Sequence, residues 1–316
     1  MEVDTNLPRI LKQRTAVRAT ILLQAETSMP AAHRECQGDE LMTALMQTAT
    51  PDYAAIKSKQ NAAWSSGDYA RIGTTLQIVG ELLAEAMDLR PGSSVLDVAA
   101  GNGNATLAFA RRFMAVTSTD YVDALLARGR ARAEAEGQNV VFHLADAEQL
   151  PFPDASFDAV VSTFGVMFTP NQAKAAAEMV RVCRSGGMIG MANWTPEGFI
   201  GQVFKTLGRH VPPPPGVNSP ALWGTKPWIE QAFGPHAAKI TVESRAFVFR
   251  YRSPEHFLDV FRTYYGPVHK AFLALDAAGQ AALAKDLMAT IASFNTARDG
   301  SMRVPSAYAE ILIARS

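Results

Sequence analysis

A short apolar strand that leads into a glycine turn constrains the fold of this chain more than any other feature. The strand is expected over Ser94–Val98, and the turn after it contains Gly101 and Gly103 before a helix expected over about residues 105–113. Because glycine has no Cβ and can take positive φ, the backbone can approach a ligand closely at the carboxyl end of such a strand. A second apolar run ends at Asp120, whose carboxylate can accept hydrogen bonds from two ribose hydroxyls. The pattern predicts a nucleoside-binding turn in an α/β fold.

The glycine turn does not by itself identify the nucleoside. A dinucleotide fingerprint has a third small residue, which lets the helix pack closely on the strand and face a pyrophosphate. Thr106 occupies that third position here, so the fingerprint is incomplete. An NAD-dependent oxidoreductase remains an alternative interpretation of Gly101, Gly103 and Asp120.

A second carboxylate follows a third predicted strand. The strand begins at Val140, and Asp146 comes directly after it, followed by Ala147. A carboxylate only accepts hydrogen bonds, which suits the exocyclic amine of adenine. A fourth buried strand is expected over Phe157–Phe164, after a turn at residues 153–156. The dinucleotide interpretation gives Asp146 no role in cofactor binding.

These motifs, in this order, resemble the class I S-adenosylmethionine-dependent methyltransferases, in particular the ubiquinone/menaquinone-biosynthesis branch. The resemblance is closest over about residues 90–195, extends from Tyr53 to the C-terminus, and is absent from the first 50 residues. It implies S-adenosylmethionine as the cofactor. The four matching segments are Asp97 to Gly103, Asp120, Ala145 to Phe152, and Phe157-Asp158 leading to Arg181 through Gly187.

The resemblance also implies roles for individual residues. Gly101 and Gly103 would line the methionine and ribose parts of the cofactor, and Asp97 would support their loop. The ribose hydroxyls would bind Asp120. Asp120 could also be the N-cap of a helix expected over residues 122–136, and this role is compatible with ribose binding. An N-terminal segment would fold over the cofactor, so that Tyr69 and Trp64 shield it from water; an aromatic that anchors its helix on the core would explain Trp64 equally well. The full set of predicted cofactor-binding residues is Asp97, Ala99, Gly101, Gly103, Asp120, Tyr121, Asp146, Ala147, Thr163 and Tyr69. Of these, Asp146 and Ala147 would hold the adenine edge, and Thr163 with Phe164 would face the amino-acid part and the acceptor.

Alternating strands and helices predict a parallel sheet with right-handed crossovers. After the fourth strand, a helix is expected over Asn171–Val182, a turn at Gly186-Gly187 and a fifth strand over Met188–Asn193. The expected fold is a Rossmann-like, seven-stranded methyltransferase sheet flanked by helices, mostly parallel, with an antiparallel C-terminal strand and a helical roof between the last two strands. The predicted segments are a poorly ordered extension at 1–50, a helical cap at 51–90, an S-adenosylmethionine-binding core at 91–195, and a substrate-side segment at 196–316 with a helical insertion at 253–297 and a final strand at 307–314. Met42 and Met46 are candidate native starts.

Methyl transfer from a sulfonium is an in-line displacement that depends mainly on positioning, in keeping with a sequence that shows no catalytic triad and no metal cluster. A base is needed only where the acceptor must lose a proton. His256 and His269 in the roof are the candidate bases, although surface or core roles would also explain them. The roof aromatics indicate either an apolar acceptor pocket or a plain core.

Composition narrows the class of substrate. Lys plus Arg and Asp plus Glu number 30 each, so no net charge favours nucleic acid or anionic lipid. Cys36 and Cys183 provide no disulfide framework, and no apolar run reaches the ~18–20 residues of a membrane span. We therefore expect a soluble, cytoplasmic enzyme that methylates a small, partly apolar molecule. The remaining alternatives are the oxidoreductase, a non-catalytic methyltransferase-like binding protein, and a protein or RNA methyltransferase. The methylated atom and the oligomeric state stay open.

Overall fold

The computed structural model describes residues 51–66 and 68–316; the extension predicted for residues 1–50 lies outside them. In this part of the chain, the strands form one seven-stranded sheet in the order β3-β2-β1-β4-β5-β7-β6. The strands are β1 (Ser94–Val98), β2 (Ala115–Asp120), β3 (Val140–Leu144), β4 (Phe157–Thr163), β5 (Cys183–Trp194), β6 (Ala237–Tyr251) and β7 (Met302–Arg315). Strands β1 to β5 pair in parallel, whereas β7 is antiparallel to both β5 and β6.

Helices cover both faces of the sheet and form the roof. The described α-helices are α1 (Tyr53–Ser66), α2 (Ala70–Gly73), α3 (Gln77–Met87), α4 (Asn104–Ala110), α5 (Asp123–Ala135), α6 (Gln172–Val182), α7 (Phe199–His210), α8 (Lys226–Phe233), α9 (Pro254–Tyr264), α10 (Gly266–Leu273) and α11 (Ala277–Phe294). Helices α9 to α11 lie between β6 and β7, where the roof is predicted, and Ser253 Oγ caps α9 by accepting from His256 N. The predicted fold class is confirmed. None of the helices in the described ranges is long and apolar enough to cross a membrane.

Three elements differ from the sequence-based bounds. Helix α4 ends at Ala110 rather than near residue 113, where Phe113 takes a left-handed φ of 62°. Strand β5 begins before the predicted turn at Gly186, because the chain stays paired with β4 on both sides of a register shift. Strand β7 begins at Met302, five residues early, although Pro305 lacks an N–H donor. This proline is tolerated because β7 pairs there with β6 alone; its pairing with β5 starts only at Tyr308.

The carboxyl ends of β1 and β4 carry two left-handed residues that are not glycine. Ala99 follows β1 with φ 52°, and Phe164 follows β4 with φ 56°. The next residue, Gly165, passes so close to β1 that a Cβ on it would lie 2.0 Å from the Ala99 carbonyl oxygen. Strand order reverses between β1 and β4, which is where open α/β sheets form their ligand crevice. Tight backbone packing therefore shapes the floor of that crevice.

Gly165→Ala should destabilise the protein, because the added methyl meets rigid backbone. We expect the free energy of unfolding to fall by about 1–3 kcal/mol, measured by urea denaturation. Gly208→Ala is the matched control: a Cβ there meets nothing within 4 Å, and alanine favours the helix by up to about 1 kcal/mol. Equal stability changes in the two variants would contradict this account of the crevice floor.

Candidate active site

A cavity with an empty volume of about 800 Å³, including its open mouth, lies at the carboxyl edge of the parallel strands. Loops that follow β1, β2, β3 and β4 line it, and α1 and Tyr69 contribute from the N-terminal side. The predicted cofactor-binding residues on its wall are Ala99, Gly101, Asp120, Tyr121, Asp146, Ala147, Thr163 and Tyr69. The sheet thus brings together residues that are far apart in sequence.

Asp97 and Gly103 lie behind the cavity wall rather than on it. Asp97 Oδ2 accepts from the Thr106 amide at 2.8 Å and from the Thr106 hydroxyl at 2.6 Å. Gly103 has φ 82° and precedes α4 as its N-cap. Thr106, the residue that interrupts the dinucleotide fingerprint, therefore ties the helix to β1. Both predicted residues shape the loop from behind.

Asp120 connects β2 to the glycine turn through its side chain. Its Oδ2 accepts from the Gly101 amide at 2.9 Å, and its Oδ1 accepts from the Val122 amide at 2.9 Å. Helix α5 begins at Asp123, and its N-cap residue is Val122. Asp120 therefore lies two residues before the N-cap position and does not occupy it, although its side chain accepts from the Val122 amide. Burial raises the pKa of Asp120 to about 6 and, with a smaller contribution from the charge of Asp120, that of Asp97 to about 7.

The adenine end predicted at Asp146 contains a cation that sequence reasoning missed. Lys57 Nζ lies 2.6 Å from Asp146 Oδ2 and 3.1 Å from Glu148 Oε2. Asp146 Oδ1 accepts from the Glu148 amide at 2.9 Å, which fixes the turn between them. Lys57 belongs to α1, whose sequence predicts a helix but carries no pattern that assigns this lysine to a carboxylate nearly ninety positions away.

Aromatic side chains close the cavity on its N-terminal side. Tyr69 lies over the glycine turn, 3.7 Å from where a Cβ on Gly101 would be. Trp64 makes edge contacts with Tyr69, Phe168 and Tyr265, with ring centroids 5.0–5.8 Å apart. Burial, and then the charge of Asp120, raises the pKa of Tyr69, so its phenol stays protonated.

A narrow apolar crevice adjoins the cavity beneath the roof. Tyr69, Phe164 and Phe168 border both spaces. Phe164 stacks face to face on Trp194, with centroids 3.9 Å apart and planes within 5°. The other residues of the crevice are Ile72, Leu76, Ile200, Phe249, Phe261 and Tyr265. None of these side chains carries a charge and all six are buried, so the crevice is a small apolar gap between core side chains beside the cavity.

The two candidate bases do not line either space. His256 Nδ1 accepts from the Arg252 amide at 3.3 Å, and the ring packs against Tyr251. His269 Nδ1 lies 2.9 Å from the Arg262 carbonyl oxygen. Both rings are only partly buried, and these contacts join them to residues within seven positions in the sequence. Neither histidine is among the residues that line the two spaces, so the base role predicted for them gains no support from the cavity and stays a prediction.

Comparison with known proteins identifies the family. A family model described as a methyltransferase domain matches residues 96–191. An uncharacterized protein of Mycobacterium tuberculosis is 38% identical over 231 residues, which cover 72% of this chain and 84% of that protein. The demethylmenaquinone methyltransferase of Deinococcus radiodurans is 33% identical over 176 residues, or 54% of this chain and 72% of that enzyme.

Solved structures support the same fold. A candidate methyltransferase from Bacillus halodurans matches with a TM-score of 0.52 at 21% identity, covering 74% of this chain and 97% of that one. The sheet order, the strand-end cavity and the relatives agree. The chain belongs to the class I S-adenosylmethionine-dependent methyltransferase family.

Asp120→Asn should change how stability depends on pH. The pKa of this carboxyl rises from 3.8 to about 6 on folding, so its contribution to stability is fully present below pH 3.8 and is lost as the pH rises through about 6. Relative to the variant, wild type should therefore lose on the order of 2 kcal/mol of unfolding free energy between about pH 4 and about pH 7. Urea denaturation across this range measures the difference, and a wild-type advantage that grows with pH would contradict the buried carboxylate.

Proposed function

We propose that this chain binds S-adenosylmethionine and transfers its methyl group to a small, partly apolar molecule by direct in-line displacement. The observation that carries the proposal is the placement of two carboxylates, Asp120 and Asp146, at one cavity with the glycine turn between strand ends. Family membership supports methyl transfer, and the cavity supplies groups that match the donor's chemistry.

The residues present fit the donor in three respects. Asp120 uses one lone pair on each oxygen for backbone amides, so each oxygen retains capacity for a ribose hydroxyl. Asp146 is about one-third exposed and can accept from the adenine amine. At Gly101 the Tyr69 ring is the described neighbour that a Cβ would approach, so the absence of a side chain keeps this wall open to the ligand.

The protein's contribution to the reaction is position, charge and exclusion of water. When bound, the cofactor supplies a methyl group already activated on a sulfonium. Burial raises the pKa of Asp120 only to about 6, so this carboxylate is mostly ionised at pH 7 and places negative charge behind the glycine turn, which favours a cationic ligand. Trp64 and Tyr69 cover the cavity and limit the access of water. Alignment of donor and acceptor within ~3–3.5 Å can account for much of the acceleration.

The acceptor is proposed to bind where the cavity meets the apolar crevice. Tyr69, Phe164 and Phe168 border both spaces, so an acceptor placed against these rings would face the donor end of the cavity. The uncharged aromatic wall favours a neutral, apolar acceptor and offers little to a charged one. Protein and RNA substrates are less favoured, since they would need an open, charged face in place of this enclosed wall.

Calorimetry with S-adenosylhomocysteine and with NAD tests the cofactor. We expect wild type to bind S-adenosylhomocysteine and not NAD, because Thr106 is buried and bonded to Asp97 where a dinucleotide turn needs a third small residue. Asp120→Ala should weaken S-adenosylhomocysteine binding by ~1–3 kcal/mol through loss of charge-assisted hydrogen bonds. Binding of NAD alone would overturn the proposal, and unchanged affinity in a folded variant would remove Asp120 from the site.

A labelled-methyl assay separates the enzyme from a non-catalytic binding protein. Purified protein, labelled S-adenosylmethionine and fractionated small-molecule extracts should give label in an organic-soluble fraction, because the crevice favours apolar acceptors. Phe261→Ala, which enlarges the crevice away from the donor cavity, should alter the acceptor profile while keeping cofactor affinity. Donor binding without transfer to any fraction would favour the binding protein.

A further inference from the structure

We propose that Lys57 is a positioning residue of the donor site. By bridging Asp146 and Glu148, it couples the seating of α1 over the cavity to donor binding, so that each stabilises the other. This inference rests on the proposed donor site and assigns a role to a lysine outside the glycine-turn motifs. The bridge spans two segments far apart in sequence, the N-terminal helix and the turn after β3.

Helix α1 is held at the rim of the cavity by polar side chains and against α10 of the roof by Trp64, whose ring would lie 3.1 Å from a Cβ on Gly266. None of its described residues is buried, so a hydrophobic face does not anchor it. Its polar side chains instead reach cavity residues: Asn61 Nδ2 donates to the Tyr121 carbonyl at 2.7 Å, and Gln60 Nε2 donates to the Phe168 carbonyl at 3.1 Å. Towards the roof, Trp64 contacts Tyr265. A helix held in this way can open at low cost compared with a core helix.

Lys57 supplies the strongest of these rim contacts. Glu148 is only 2% exposed, and its other described side-chain contact is the Asn171 amide on Oε1 at 2.8 Å. Without the ammonium, a buried carboxylate would lose its charge partner, which is costly. The bridge therefore fixes α1 to the wall of the adenine end through charge-assisted bonds.

The bridge leaves room for the nucleobase. Asp146 accepts one bond on each oxygen, from the Glu148 amide and from Lys57, whereas a carboxylate has about four lone-pair sites. An adenine amine can therefore share Asp146 with the ammonium rather than displace it. The Lys57 ammonium has three N–H donors, of which two are directed at Asp146 and Glu148. Because Lys57 lines the cavity, the third donor is available to a bound ligand.

Coupling follows from this shared carboxylate. Closure of α1 orients Asp146 for the base, and a bound base fills the space beneath α1. Thermodynamic linkage makes the coupling reciprocal: if closure of α1 raises the affinity for the donor by some factor, a bound donor shifts the equilibrium towards the closed position of α1 by the same factor. Donor affinity and protection of α1 should therefore change together.

The test compares Lys57→Met with Lys59→Met, which removes the same charge from an exposed site on the same helix. Calorimetry measures S-adenosylhomocysteine binding, and amide hydrogen exchange of residues 53–66 is followed with and without that ligand. Lys57→Met should bind roughly tenfold more weakly, and Lys59→Met should stay within about twofold of wild type. The ligand should slow exchange of α1 in wild type and in Lys59→Met, but much less in Lys57→Met.

Two further variants separate positioning from general damage. Lys57→Arg keeps a cation that can reach both carboxylates and should recover most of the affinity. Glu148→Gln removes one arm of the bridge while leaving Asp146 intact, and it should reduce the ligand-induced protection of α1.

Equal affinity and equal protection in the two lysine-to-methionine variants would overturn the inference. Tighter binding by Lys57→Met would overturn it as well, because the lysine would then compete with the base. Failure of wild type to bind S-adenosylhomocysteine is a different result: it would refute the proposed donor site, and the coupling with it.

Discussion

The buried carboxylate of Asp120 joins the end of β2 to the turn that follows the neighbouring strand β1. Its two oxygens hold the Gly101 and Val122 amides, each at 2.9 Å. In a buried setting, such bonds are strong and an unpaired acceptor would be costly. Around this carboxylate lie the glycine turn, the Tyr69 ring above that turn, and Tyr121, which also lines the cavity. Burial raises the pKa of Asp120, and each of its oxygens accepts only one of these amide bonds, so the carboxyl keeps acceptor capacity for a ligand with hydroxyl donors.

The proposed donor and acceptor sides of the cavity are built in different ways. The donor side consists of short motifs at successive strand ends, which a parallel sheet necessarily brings to one edge. The acceptor side depends on Phe164, held in a left-handed conformation and stacked on Trp194, and on roof residues such as Phe261. Strained backbone at a strand end is a common mark of a ligand site. Here it places an aromatic ring at the border of the two spaces.

Much of the fold was predictable because the pattern is local. The bounds of β1 agree with prediction, and α6 begins one residue later than expected, since buried apolar runs and a capping asparagine mark their ends. Prediction was wrong where pairing partners decided the outcome. Strand β7 extends through Pro305 because β6 is its only neighbouring strand at that position, so a residue without an N–H donor is tolerated there.

The sequence by itself determined the glycine turn, the carboxylates at the neighbouring strand ends and the class of fold, because spacing along strand and helix fixes which residues share a strand end. Only the tertiary structure decided which side chains meet across that edge. It paired Lys57 with Asp146 and Glu148, and it left His256 and His269 outside the lining of the cavity. These contacts join elements far apart in the chain, and their geometry depends on how whole helices pack on the sheet rather than on any local spacing.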